Sequence, residues 1–392
     1  MSQQLISLNQ DLKRLRDEGY QIEIHGGHLV ALHIPYVNNN KEVLLGTLAC
    51  PLDLNGQYTT KPSNHVIMFQ GEQPCNQEGN TIAGIVHSNS NTLIKEGLRM
   101  KLSFSNKPKG GYIDFYHKIK TYADIISAPA KFLDDEITEK PFLPISTEDS
   151  GGVFKYLDTN SSRANIDEIN LKLENQKIAI IGLGGTGSYA LDLVAKTMVK
   201  EIHIFDGDVF SNHNAFRSPG AVTLEVLQER PKKVDYFHKV YSKMRNNIYS
   251  HDTFINESNM HELLDMDFIF LCIDDNDMRY KCATFLRDHS KKFIDVGLGV
   301  NMVDGKLIGT IRTTCVTDSK KDHVELRIPQ GINDNNDYSS NIQIAELNNL
   351  NATFAVLKWK KLYGIFQDLE NEHHSLYSIN DSLLINEEIY ET

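Results

Sequence analysis

One stretch limits what this chain can fold into more than any other: KIAIIGLGGTGSYAL, residues 177–191. The apolar run Ile178 to Ile181 stops at a glycine cluster, and a helix-compatible segment follows. Gly182, Gly184 and Gly187 give G-x-G-x-x-G between strand and helix. The first glycine permits the tight turn, the second lets backbone amides approach a phosphate, and the third allows close helix–strand packing. Phosphate then meets a helix N-terminus, where unpaired amides and the dipole favour negative charge. Further apolar runs, EIHIFDGD, DFIFLCID and KFIDVG, alternate with helical stretches. That alternation predicts an α/β fold with a doubly wound, Rossmann-like, mostly parallel sheet.

The preceding half has another texture. Leu5, Leu8, Leu12 and Leu15 stand at helical spacing, and Gly19 ends the pattern. Strand-like segments follow, with a hairpin around Gly26 and Gly27 and a turn at Asn55-Gly56. Residues 1–140 therefore predict a smaller strand-rich α+β domain that binds a partner or substrate, with His25, His28 and His33 as strand residues. Prolines, acids, serines and Gly-Gly mark 141–164 as a linker, 165–370 as the nucleotide unit and 371–392 as a C-terminal tail. The Asn/Asp-rich stretch 331–341 reads as a loop.

Bulk properties narrow the function. A net charge of −12 opposes a non-specific grip on nucleic acid or an anionic membrane. No 18-residue apolar run and no signal-like opening occur, which predicts a cytoplasmic protein. The five cysteines lack any CxxC pair, so no zinc site is implied.

The glycine loop alone suits NAD and ATP equally, with Asp206 about 20 residues on to meet a ribose. The following residues separate the two. FDGDVFSNHNAFR supplies Asp206, Asp208, Asn214 and Arg217 in one loop, and a helix then opens at Lys232 and Lys233. A nicotinamide site has no evident use for converging cations on the phosphate side. Cleavage between the α- and β-phosphates of ATP does, because charge accumulates on departing pyrophosphate. Asp274 ends the strand FIFLCID, where a carboxylate is placed for Mg²⁺.

This half resembles the ThiF/MoeB family, the adenylation fold shared with ubiquitin-activating enzymes. Its GxGGxG loop is matched by Gly182, Gly184, Gly185 and Gly187, its D-x-D by Asp206 and Asp208, and its N-x-x-R by Asn214 and Arg217. Lys232 and the acid-rich segment Asp274-Asp-Asn-Asp277-Met-Arg279 follow in order. The resemblance implies ATP-dependent adenylation of the C-terminal carboxylate of a ubiquitin-like or sulfur-carrier protein with a glycine tail, in a bacterial conjugation pathway. Asp206 would hold the ribose, Arg217 and Lys232 the phosphates, and Asp274 Mg²⁺, with Lys233 the alternate for Lys232. Cys315 is then the candidate nucleophile for a second step, activated by Lys320 and Lys321, with Ser319 as a hydroxyl alternative. The resemblance also implies a homodimer and a conjugating-enzyme-like partner. Cys75 is the candidate residue if the N-terminal domain itself has a conjugating-like fold. The competing readings are adenylation of a small-molecule or tRNA-linked carboxylate, and an NAD-dependent oxidoreductase. Cys272 and Cys282 are expected in the core, and His373-His374 exposed.

Overall fold

The computed structural model describes residues 2–147, 151–331 and 342–389, and forms two compact units, Met1–Ile145 and Ser146–Thr392. The loop expected at 331–341 lies, beyond Gly331, outside the described residues.

In the first unit the single expected helix arrives as two, α1 (Ser2–Leu8) and α2 (Gln10–Asp17). Asn9 makes the break. Its Nδ2 donates to the carbonyls of Leu5 at 2.8 Å and Gln57 at 2.9 Å, and its Oδ1 accepts from the Thr59 amide at 2.7 Å. A short carboxamide that competes for backbone partners interrupts a helix, and here it pins the small hairpin around Asn55-Gly56. Leu12 and Leu15 are buried, whereas Leu8 is exposed.

Six antiparallel strands follow: β1 (Gln21–His25), β2 (His28–Val37), β3 (Val43–Pro51), β4 (Val66–Gln70), β5 (Val86–Lys95) and β6 (Leu98–Ser105). Their order is β1-β2-β3-β4-β6-β5. Gly26 and Gly27 take φ of 52° and 74° between the paired His25 and His28, the left-handed conformation a two-residue hairpin turn requires. Helix α3 (Phe115–Leu133) buries Phe115, Ile119, Tyr122 and Ile126 against Ile34, Leu48, Phe69 and Phe104. Cys75 is buried, donates to the Gln73 carbonyl and has its thiol pushed up by burial, as befits a core residue rather than a nucleophile.

The second unit is built on eight strands: β7 (Lys177–Ile181), β8 (Glu201–Phe205), β9 (Ile248–His251), β10 (Phe268–Leu271), β11 (Phe293–Val303), β12 (Lys306–Val316), β13 (His374–Ser378) and β14 (Leu383–Glu387). The order is β9-β8-β7-β10-β11-β12-β13-β14. Neighbours from β9 through β11 are parallel, and those from β11 to β14 antiparallel. Alternation sends Ile178, Ile180, Phe268 and Phe270 to one face and Ala179, Ile181, Ile269 and Leu271 to the other. Helices α4 (Gly185–Ala195), α5 (Lys233–Tyr241) and α7 (Ala345–Leu362) cover the first face, and α6 (Asn276–Asp288) the second. Burial on both faces explains the continuous apolar runs of the sequence.

Two expected boundaries are corrected. Residues from 146 onward do not behave as a free linker. Val153 accepts from the Asn246 amide and Met244 from the Lys155 amide, so the segment is laced onto the second unit. Nor is the segment from 371 to 389 a loose tail, because β13 and β14 extend the sheet and His373 and His374 are buried. The Thr314 hydroxyl meets His374 Nδ1 at 3.0 Å, and burial pulls His374 down to about 4.

Arg245 is fully buried without a carboxylate among its hydrogen-bond acceptors. Its guanidinium donates to the carbonyls of Ala195, Thr197, Val199 and Asn246, closing the C-terminal end of α4. A cation there compensates both orphan carbonyls and the negative helix end. Arg245→Met is expected to lower the unfolding free energy by on the order of 3 kcal/mol, read as a lower denaturant midpoint at unchanged slope.

Candidate active site

The glycine loop leaves β7 at the carboxyl edge of the parallel strands, where ligands of open α/β sheets bind. Gly182 takes φ of 86°, and a Cβ there would lie 2.6 Å from the Cys272 carbonyl oxygen. At Gly187 a Cβ would meet the Gly182 carbonyl oxygen at 1.8 Å, so α4 can start against β7 only without a side chain. Gly184 differs: a Cβ would touch nothing within 4 Å, so the loop is open on that side. Gly185 makes room for Asn348 of α7, whose carboxamide would lie 2.2 Å from an added Cβ.

Asp206 holds the loop in place. Its Oδ2 accepts from the Leu183 amide at 2.7 Å, its Oδ1 from the Asp208 amide at 2.8 Å, and Lys233 Nζ lies 3.3 Å from Oδ2. Lys233 also donates to Asp208 Oδ2 at 2.7 Å. The lysine facing inward is therefore Lys233, not Lys232. Lys232 is the residue before the first turn of α5, and its Nζ turns to the Gly207 carbonyl at 2.7 Å and Asp252 at 3.1 Å. Both oxygens of Asp206 are engaged by protein donors, whereas Asp208 is largely exposed.

A cavity of about 970 Å³ gathers most of the expected residues: Gly182, Gly184, Gly185, Gly187, Asp206, Asp208, Asn214, Arg217 and Asp274 all line it. Asn214 is buried and structural in part, accepting from the Ser211 amide at 2.8 Å and so shaping the turn that carries Arg217. The Arg217 Nε is buried with no hydrogen-bond partner among the described residues. Burial holds this guanidinium below its ordinary value, with the charge of Asp274 pulling the other way. Beneath Asp274, Arg279 Nε donates to the Ile273 carbonyl at 2.8 Å and lies 3.5 Å from buried Asp295, which also takes a 2.5 Å bond from Arg312.

Cys315 is not brought to the cavity. It lies on β12, not in a mobile loop, and is 1% exposed, with burial pushing its thiol up to about 12. Ser319 meets Thr317, and Lys320 pairs with Asp322 and Glu388, so neither lysine-assisted thiolate chemistry nor proximity supports a role there. Cys282 is core as expected, whereas Cys272 forms part of the cavity wall.

Several lining residues carried no signal that the sequence reading used. Asn348 and Asn351 stand at i and i+3 on α7, meet the Thr186 hydroxyl at 3.0 and 3.4 Å, and Asn351 donates to the Gly297 carbonyl at 3.2 Å. The available clue was that Asn348 and Asn351 share a helix face with the apolar positions Ala352 and Ala355. Phe254 is 58% exposed at the cavity rim, and the absence of a side chain at Gly207 lets its ring approach.

These features define a class: a doubly wound α/β unit with a phosphate-type glycine loop and a charged cavity at its strand ends. The ThiF family matches residues 160–363, more than half of the chain, and the protein belongs to that family. A domain of unknown function, DUF6791, matches residues 10–159. Among curated proteins the chain is similar to ubiquitin-like modifier-activating enzyme 5 of Aedes aegypti, 21% identical over 147 residues, 35% of this chain and 37% of that protein. The same enzyme of Drosophila virilis is 22% identical over 156 residues, 37% and 39% of the two chains. The match thus spans less than two fifths of these relatives. Solved structures of E. coli MccB with MccA-N7isoASN and with ATP each share 17% identity over 60% of this chain and 70% of theirs, at TM-scores of 0.48 and 0.47.

The Lys233–Asp206 pair gives a direct check on which lysine belongs to the site. Lys233→Met strands a buried carboxylate and is expected to cost about 3 kcal/mol of stability. Lys232→Met, at a side chain 38% exposed, is expected to change it by less than about 0.5 kcal/mol. Equilibrium unfolding of the two variants measures both.

Proposed function

We propose that the second unit activates a carboxylate with ATP, the carboxylate being the C-terminus of a ubiquitin-like or sulfur-carrier protein with a glycine tail. The observation that carries this reading is the common cavity of the open loop at Gly184 and Arg217, whose buried Nε has no hydrogen-bond partner among the described residues. A desolvated cation with an unused donor is costly unless an anion meets it. Triphosphate meets both requirements, since the amides of the first turn of α4 have no acceptor within the helix. Membership of the ThiF family supports the same chemistry.

In this reading a carboxylate oxygen attacks the α-phosphorus, the bond between α- and β-phosphates breaks, and pyrophosphate leaves with the electron pair. Arg217 and Lys233 bind phosphate oxygens, Lys233 exchanging one of its two carboxylate contacts for them. Asp208, with its exposed carboxylate, and Asp206 face the ribose side. Among the described residues no group of three or more His, Cys, Asp or Glu side chains is placed to hold a metal ion. Asp274, which lines the cavity, would hold Mg²⁺, an ion commonly bound by one or two carboxylates plus substrate phosphates, and the bound ion would supply charge neutralisation. Positioning and electrostatics are enough for this step, and no protein nucleophile is required. Phe254 offers an aromatic surface at the rim.

Pyrophosphate exchange into ATP tests this. Exchange is expected only when a glycine-tailed protein or peptide acid is added. Arg217→Ala and Asp274→Ala are each expected to reduce it on the order of 10²-fold, while Cys315→Ala leaves it within about twofold if the variant is folded. Exchange that survives both first substitutions, or hydride transfer with NAD, would sink the assignment.

A further inference from the structure

We propose that Arg312 and Thr314 of β12, fastened by His374 of the C-terminal hairpin, are positioning residues for Asp274, the carboxylate that would take Mg²⁺. The proposal rests on the adenylation reading above and concerns what keeps that carboxylate in place.

The turn that carries Asp274 hangs on one arginine of α6. Arg279 donates from Nε, at 2.8 Å, and from Nη2 to the Ile273 carbonyl, and from Nη1 to Asn276 Oδ1 at 3.1 Å. It thereby grips the chain on both sides of Asp274. Arg279 Nε also lies 3.5 Å from Oδ1 of Asp295, which is fully buried. A buried carboxylate without further compensation would draw that guanidinium in and away from the turn. Arg312 removes the competition, because its Nη2 takes Asp295 Oδ2 at 2.5 Å. Arg279 is then left to the Ile273 carbonyl.

A polar row across the sheet holds Arg312 to that task. Asp295 of β11 stands opposite Thr314 of β12, and Thr314 opposite His374 of β13. Alternation puts Arg312, two residues before Thr314, on the same face. Arg312 stands opposite Gly297, where an added Cβ would lie 2.9 Å from its Nε, so the missing side chain lets the guanidinium cross to Asp295. Thr314 Oγ1 accepts from Arg312 Nη1 at 2.6 Å and donates its proton to His374 Nδ1 at 3.0 Å. That direction requires a neutral imidazole with its proton on Nε2. Burial pulls His374 down to about 4, so the ring stays neutral at physiological pH. Asp295, Thr314 and His374 are each no more than 3% exposed. Well-packed apolar side chains would stabilise such a face as well as buried ionic groups do, so the row is better explained by the geometry it imposes. One end of it meets the cavity, whose wall includes Ile273, Asp274 and Arg279. The other lies in a hairpin beyond the ThiF match, which ends at residue 363.

The test measures ATP affinity of the full chain by calorimetry, once in Mg²⁺ and once in EDTA, beside pyrophosphate exchange. Thr314→Val keeps the shape of the side chain and deletes both of its hydrogen bonds, whereas Thr314→Ser keeps the hydroxyl. Partners behind a metal-binding group tune metal affinity by about 10–100-fold. Thr314→Val is expected to lose about tenfold of the tightening that Mg²⁺ gives ATP, with affinity in EDTA within about twofold of wild type, and Thr314→Ser to retain it. Should Thr314→Val not fold, His374→Phe against His374→Asn, which keeps an acceptor near the place of Nδ1, makes the same comparison from the other end of the row. Arg327→Met cuts the hairpin's ion pairs through Glu387 and Glu388 without deleting a hydrogen bond of the row, and is expected to leave the Mg²⁺ tightening unchanged. The proposal is overturned if Thr314→Val keeps the wild-type tightening, if Thr314→Ser loses it equally, or if Arg327→Met loses as much, which would make the row a scaffold only. Each of these leaves adenylation standing as long as wild type exchanges pyrophosphate. A wild type that binds ATP no tighter in Mg²⁺ and exchanges no pyrophosphate with any glycine-tailed protein or peptide acid overturns the adenylation reading itself.

Discussion

The carboxylate of Asp206 is the interaction on which the nucleotide unit turns. Buried at the end of β8, it binds the Leu183 amide of the glycine loop, the Asp208 amide of its own turn and the ammonium of Lys233 at the start of α5. Three segments far apart in sequence are thereby fixed to one point. A buried carboxylate is tolerated only when hydrogen bonds and a counter-charge offset its desolvation, so the three contacts stand or fall together. The loop can then leave its Gly184 side open without collapsing, because its shape is set from behind.

The same economy of space governs the other wall of the cavity. Gly185 and Asn348 fit only because the glycine lacks a side chain, and Asn348 and Asn351 in turn hold Thr186 at the first turn of α4. Asn351 also reaches the Gly297 carbonyl on β11. Helix α7 therefore joins the glycine loop to β11, although some 160 residues separate the helix from the loop in sequence. On the opposite side Asp295, between Arg279 and Arg312, steadies the turn that carries Asp274. Charged groups at this site are thus of two kinds. Asp206 and Arg279 are tied into the protein by hydrogen bonds, whereas Arg217 Nε has no hydrogen-bond partner among the described residues.

Legibility in the sequence followed the range of the forces. The doubly wound sheet was readable because strands buried on both faces must be apolar throughout, as in FIFL and KIAII. The hairpin at Gly26-Gly27 was readable because only glycine accepts both left-handed positions cheaply. The helix break at Asn9 was not, because its cause is a hydrogen bond to residues about fifty positions away. Nor were β13 and β14, whose polar and apolar residues mix because they lie toward the sheet's open end. Cys315 looked like a residue entering a polar loop, yet β12 continues one residue past it and its side chain belongs to the core cluster that includes Ala355, Val356 and Trp359 of α7.

By itself the sequence determined the strand–glycine loop–helix unit, the order of charged motifs around it and the two-part division of the chain, because each depends on spacing between near neighbours. Only the tertiary structure decided which of two adjacent lysines faces inward, since one residue of helix phase turns a side chain through about 100° and the contact with Asp206 selects the phase. It alone also assigned Cys315 to the core. Those outcomes depend on where distant strands end relative to one another, and no local pattern carries that information.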